Sequence, residues 1–246
     1  MTYIKSFIIL TVCFFVVLGF DQKLIAAEHP ITSSRKIIFE GESSRRNKEA
    51  EKIIAEAAQY FEEITSQSLN KTSRDKIPIR IRFESSPLKS ENRIHEGIDD
   101  RIQGITYHSR KESRIVISKR YAANWERILA HETVHVFVRA VYGRAINQIL
   151  NEGLAEYIAE KVFPTKTHLN PKTAIFDERF RPYSEGFRFC EQYATDPYFS
   201  DFFALEIKKP GHSLRNLIKL WDLRKIKHAQ FEKKNYPVER VRNELH

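Results

Sequence analysis

The stretch Ile128–Ala140, ILAHETVHVFVRA, constrains the fold more than any other part of the chain. His131 and His135 stand four residues apart, with Glu132 directly after the first histidine. An α-helix turns about 100° per residue, so positions four apart lie on one face, one turn apart. Both imidazoles can then reach one ion, and Glu132 lies beside them, where it can contact a water. A helix that simply carries two satisfied histidines and a glutamate would read the same way. The rest of the chain has to supply a third ligand.

The segment NQILNEGLAEYIAE begins twelve residues after His135 and places Glu152 seventeen residues after it. The spacing predicts a second helix over about Asn151 to Val162, ended by Pro164, with Glu152 near its start. Gly143 stops the first helix, and the break is long enough to turn the chain back. Two antiparallel helices let Glu152 reach the ion from the opposite side. Glu156 lies one turn later on the same face, where it can accept a hydrogen bond from the outer ring nitrogen of a ligand histidine. Glutamates four apart are also common on solvated helix faces, and spacing alone leaves that alternative open.

Around these helices the periodicity changes twice. A short strand is expected at Lys36–Phe39. Residues 44–68 read as a helix, because Ile53, Ile54, Ala57, Phe61 and Ile64 recur at helical spacing. Ile77, Ile79, Ile81 and Phe83 then alternate with Pro78, Arg80 and Arg82, the pattern of a half-buried strand. Pro78 marks an edge or a strand beginning. GITYHS and SRIVISK read as two strands of a hairpin, and from Asn124 a helical pattern carries the opening motif to about Tyr142. Residues 165–182 are irregular, and from Tyr183 two or three helices follow, broken near Asp196-Pro197 and Pro210-Gly211. The fold class is therefore α+β. The chain divides into a leader at 1–27, a lead-in and helix at 28–74, a strand-and-helix subdomain at 75–164 that carries the motif, and a helical C-terminal subdomain at 165–246.

The leader reading rests on Lys5, a nearly unbroken apolar run from Phe7 to Phe20, and small residues at Ala26 and Ala27, the layout of a secretory signal peptide. Export to a periplasmic or extracellular space is the expectation; an uncleaved N-terminal membrane anchor is the alternative. Cys13 would leave with the signal, and Cys190 alone cannot form an internal disulfide, so it is expected as a small core residue. With 246 residues, 41% hydrophobic and 30% charged, the chain can build its own core and reads as globular, not disordered.

HETVH followed by NEGLAEY resembles the gluzincin metallopeptidases, and among them the compact peptidase MA-like group, over roughly residues 75–195. The resemblance implies a zincin-like fold, with a small mixed sheet packed on the active-site helix. It implies Zn2+ bound by His131, His135 and Glu152, with Glu132 as the general base that activates water and Glu156 supporting a ligand histidine. It also implies an edge strand beside the zinc helix, on which an extended peptide pairs. SRIVISK, just upstream of the helix, is the candidate, through Arg114, Ile115, Val116 and Ile117; a plain sheet strand would read alike. YSEGF, Tyr183–Phe187, is similar to the Y-x-x-G element of aminopeptidase-like members, whose tyrosine hydroxyl steadies the oxyanion. That makes Tyr183 a second catalytic candidate beside an ordinary core or surface tyrosine, with Tyr142 and His212 as further candidates. The G-x-M-E-N element with which aminopeptidases of this clan bind a free amine is absent, since Met1 is the only methionine. The resemblance thus implies an endopeptidase acting on protein or peptide substrates. A catalytically inactive zinc-bound scaffold or binding protein of the same fold is the alternative.

The net charge of +9 is concentrated late: Ile207–His246 holds eleven Lys or Arg against four Asp or Glu. Leu214, Leu217, Ile218 and Trp221 are spaced as one face of an amphipathic helix, so a solvated basic face is expected, with weak contact to anionic envelope surfaces as the alternative. With an export signal, no nucleic-acid partner is expected. HEGIDD, His95–Asp100, reads as a solvated loop that could also line a cleft or hold a second cation.

Overall fold

Ile79 and Ile81 are fully buried while Arg80 between them and Arg82 after them reach the surface, as the alternation requires. The computed structural model describes residues 36–40, 44–69, 78–85, 88, 103–109, 111–145, 147–164, 181–209 and 213–235. The leader at 1–27, the loop His95–Asp100, the Pro210-Gly211 break and His212 lie outside these residues.

The strands are β1 (Ile37–Phe39), β2 (Ile79–Glu84), β3 (Gly104–His108) and β4 (Ser113–Ser118). Among the described residues the helices are α1 (Ser44–Thr65), α2 (Trp125–Tyr142), α3 (Gln148–Val162), α4 (Arg181–Tyr193), α5 (Phe199–Glu206) and α6 (Leu214–Asn235). The architecture is mixed α+β. The four strands form one mixed sheet in the order β1-β2-β4-β3. β1, β2 and β4 run parallel, with Ile37 opposite Ile79 and Ile81 opposite Ile115. β3 returns antiparallel to β4 as the expected hairpin, with Thr106 opposite Ile115.

This order corrects one expectation. Arg114, Ile115, Val116 and Ile117 do not form an edge: β4 is hydrogen-bonded to β2 on one side and β3 on the other. Ile115, Val116 and Ile117 are all buried, which three consecutive apolar residues on a strand covered on both faces explain. Among the described residues the outermost strand on the hairpin side is β3, with β1 at the opposite edge. Proximity in sequence to the helix does not decide the edge, because a hairpin can place either of its strands outermost.

One face of the sheet packs on α1 and α2. Trp125, at the start of α2, meets Phe39 edge-on at 5.8 Å and Phe83 at 6.4 Å between ring centroids. Phe61 of α1 lies 5.5 Å from Phe137 of α2. A 3₁₀ turn, Lys119–Asn124, links β4 to α2, and α2 stops at Gly143, whose φ of 79° suits glycine. α3 begins three residues earlier than expected, because the Asn147 side chain accepts a hydrogen bond from the Leu150 N–H at 3.2 Å and caps the helix.

The C-terminal helices gather around Trp221, which packs on Tyr193 at 4.7 Å and Phe202 at 5.2 Å. Cys190 is fully buried there, as expected of a core residue. Helix α6 buries Leu217 and Trp221 but leaves Leu223 and Ile226 exposed beyond them. Among the described residues no helix is long and apolar enough to cross a membrane.

Candidate metal centre

Helices α2 and α3 supply three donors to one point. His131 Nε2 and His135 Nε2 are 3.2 Å apart, and each lies 3.3 Å from Glu152 Oε2. Tetrahedral zinc, bound at roughly 2.0–2.2 Å by nitrogen and oxygen ligands, holds neighbouring ligand atoms about 3.3–3.6 Å apart. The triangle therefore has the size that a four-coordinate ion needs, with the fourth position left for another ligand. Glu152 Oε2 is buried with the two imidazole nitrogens at 3.3 Å and no well-formed hydrogen bond among the described residues, a setting that suits a shared cation. The cluster of His131, His135 and Glu152 could thus hold a metal ion.

A second layer steadies the first. His131 Nδ1 lies 3.1 Å from Glu156 Oε1, and Glu156 Oε2 accepts a hydrogen bond from the Arg127 guanidinium at 2.5 Å. Arg127, His131 and His135 recur at four-residue spacing on α2, so one helix face carries the arginine, the supported histidine and its co-ligand. Glu156 thus stands between His131 and the Arg127 guanidinium.

The charges in this cluster hold one another. Burial opposes a charged His131, but Glu156, Glu152 and Glu132 outweigh it and push its pKa up to about 10. Burial likewise opposes ionisation of Glu152 and Glu156, yet His135 and His131 keep Glu152 below the usual carboxylate range, and His131 and Arg127 do the same for Glu156. An ion entering the triangle replaces the proton on the histidine face with a larger positive charge at the same place.

Tyr183 comes to the site from α4. Its ring stacks on His131 at 5.9 Å between centroids and 22° between planes. Burial, followed by the charges of Glu152, Glu132 and Glu156, pushes its pKa well above the usual phenol value, so the hydroxyl keeps its proton and stays a donor. Two glycines allow this approach. A Cβ on Gly153 of α3 would fall 2.3 Å from the Gly186 backbone of α4, so only glycines let the two helices close. Tyr183 lies one turn before Gly186 and is carried over His131 by that crossing. Tyr142 instead packs edge-on to Phe203 at 5.5 Å, in the C-terminal core.

Glu132 is 6% exposed and turns toward β3. The Thr106 hydroxyl donates to Glu132 Oε2 at 2.6 Å, and a Cβ on Gly104 would lie 3.0 Å from Glu132 Oε1. Sequence reasoning missed Thr106, Gly104 and Arg127. Arg127 was in reach, one turn before His131 on the same helix. Thr106 and Gly104 depend on which strand of the hairpin lies against α2, which local pattern does not give. The substrate-binding residues expected on β4 are not brought to the site as an edge: Ile115 and Ile117 are in the core, and the site is flanked by β3.

No family model, no curated protein and no solved structure matches the chain.

Proposed function

We propose that the chain is an exported zinc-dependent metallopeptidase of zincin-like fold that cleaves within peptide chains. The observation that carries this reading is the triangle of His131, His135 and Glu152 with the buried carboxylate of Glu132 beside it. Two histidines and one carboxylate with a position left over is the donor set of a catalytic rather than a structural zinc site. Bound there, zinc supplies Lewis acidity, which acidifies a water and polarises a carbonyl oxygen.

The chain's own groups do the rest. Glu132 takes the proton of the attacking water and passes it to the leaving amine. Tyr183, kept neutral by burial and by its carboxylate neighbours, donates its hydroxyl proton in a hydrogen bond to the developing oxyanion. The outer edge of β3 offers its backbone to an extended peptide, and pairing there lays the scissile bond beside Glu132. The apolar run Phe7–Phe20 followed by Ala26 and Ala27 supports export.

Exposure of the zinc-loaded protein to a peptide library, with products read by mass spectrometry, tests the reading. Internal cleavage by wild type and none by Glu132→Gln supports it. A zinc-loaded wild type that leaves the whole library intact supports instead a metal-bound scaffold of the same fold.

A further inference from the structure

Glu132 is gripped from the side of the sheet. The edge strand β3 turns Gly104 and Thr106 to the same face, because alternate residues of a strand point alike. Gly104 lets the strand close on α2: a Cβ there would fall 2.6 Å from Ile128 Cγ2 and 3.0 Å from Glu132 Cγ. Thr106 then reaches across, with its hydroxyl 2.6 Å from Glu132 Oε2 and 3.1 Å from the Glu132 backbone oxygen. The hydroxyl has one proton to give. The carboxylate contact is the shorter, and hydrogen bonds to charged acceptors are the stronger ones, so the proton belongs to Oε2.

We propose that Thr106 is the positioning residue for Glu132: its hydroxyl fixes one carboxylate oxygen and leaves the other for proton transfer. The proposal rests on the metallopeptidase reading for what Glu132 does, and on the Thr106–Glu132 geometry for how it is held. A glutamate side chain has three rotatable bonds, and a base that wanders by about 1 Å can lose orders of magnitude in rate. The hydroxyl that prevents this wandering comes from the same strand that would pair with a peptide. Peptide pairing and base placement thus depend on one element, and displacing β3 disturbs both.

The test uses acetohydroxamic acid, which loses a proton when it binds zinc through both oxygens, so that its affinity reports a correctly placed Glu132 without any turnover. Dissociation constants are measured by calorimetry on the zinc-loaded full chain, for wild type, Thr106→Val, Thr106→Ser, Glu132→Gln and the Thr106→Val/Glu132→Gln double variant. Thr106→Val keeps the shape of the side chain and removes the donor. It should weaken binding about tenfold, the size of a lost hydrogen bond to a charged group. Thr106→Ser keeps the hydroxyl and should recover most of that loss. In the Glu132→Gln background the valine substitution should add nothing, because the two residues act through one contact. Zinc content should be the same in all five. Thr106→Ala replaces Thr106→Val in the comparison if the valine variant fails to fold. Equal affinity of wild type and Thr106→Val overturns the proposal, as does a full additional loss in the Glu132→Gln background. The expected pattern in a protein that cleaves no peptide would overturn the peptidase reading and leave the role of Thr106 standing.

Discussion

Gly153 and Gly186 meet backbone to backbone: a Cβ on Gly186 would lie 2.6 Å from the Gly153 Cα and 2.0 Å from the Ile149 carbonyl oxygen. Neither helix can move aside without opening the core, so Gly186→Ala should destabilise by about 3 kcal/mol, the upper range for overpacking a tight contact. It should also move Tyr183 off His131. Tyr183→Phe separates the two effects. It should leave the denaturation midpoint and zinc content near wild type while kcat falls about a hundredfold with KM little changed. Chemical denaturation and steady-state kinetics on both variants check this.

The Arg127–Glu156–His131 chain predicts a variant that weakens metal without touching a ligand. Arg127→Met removes the cation that holds Glu156 and leaves Glu156 buried against His131 alone. Loss of such outer support typically costs 10–100-fold in metal affinity, so a competitive chelator titration should show a loss of about that size. The rate at saturating zinc should change less than the affinity.

How much of this was legible in the sequence depends on the range of the interaction. Helix α1, strand β2 and the β3–β4 hairpin follow from local period, and so do the paired helices α2 and α3. The cluster of His131, His135 and Glu152, which could hold a metal ion, was legible because each residue stands at fixed helical spacing within its own motif. The edge was not, because strand order is decided by pairing across the sheet: Ser113–Ser118 joined β2 in parallel register and left Gly104–His108 outside. The one local clue was Ile115-Val116-Ile117, too apolar for an edge exposed to water. Thr106 was invisible for the same reason, since it meets Glu132 from twenty-six residues away through that strand order.

The charge cluster predicts a pH dependence for the metal-free protein. The folded pKa of His131 is raised from an ordinary 6.5 to about 10 by the carboxylates around it, against the opposing effect of burial. Its contribution to stability is therefore fully present below about pH 6.5 and is lost as pH rises toward 10. Glu152 and Glu156 are shifted down from 4.5, so their contribution is present above that value and lost as pH falls through their lowered pKa values. Melting temperature of the metal-free chain should thus be highest between about pH 5 and 6.5 and decline toward pH 10, and His131→Asn should flatten the alkaline decline. Zinc binding near pH 7.5 must displace the His131 proton, so calorimetry in buffers of different ionisation enthalpy should show proton release.

His131, His135 and Glu152 are expected to hold one metal ion together, with Glu132 outside its ligand set. Zinc stoichiometry by elemental analysis, on wild type and on His131→Ala, His135→Ala, Glu152→Ala and Glu132→Gln, tests it most directly. Wild type and Glu132→Gln should each bind one zinc per chain, and each of the three variants at His131, His135 and Glu152 should lose bound zinc. A wild type that binds no zinc, or ligand variants that retain a full equivalent, would contradict it.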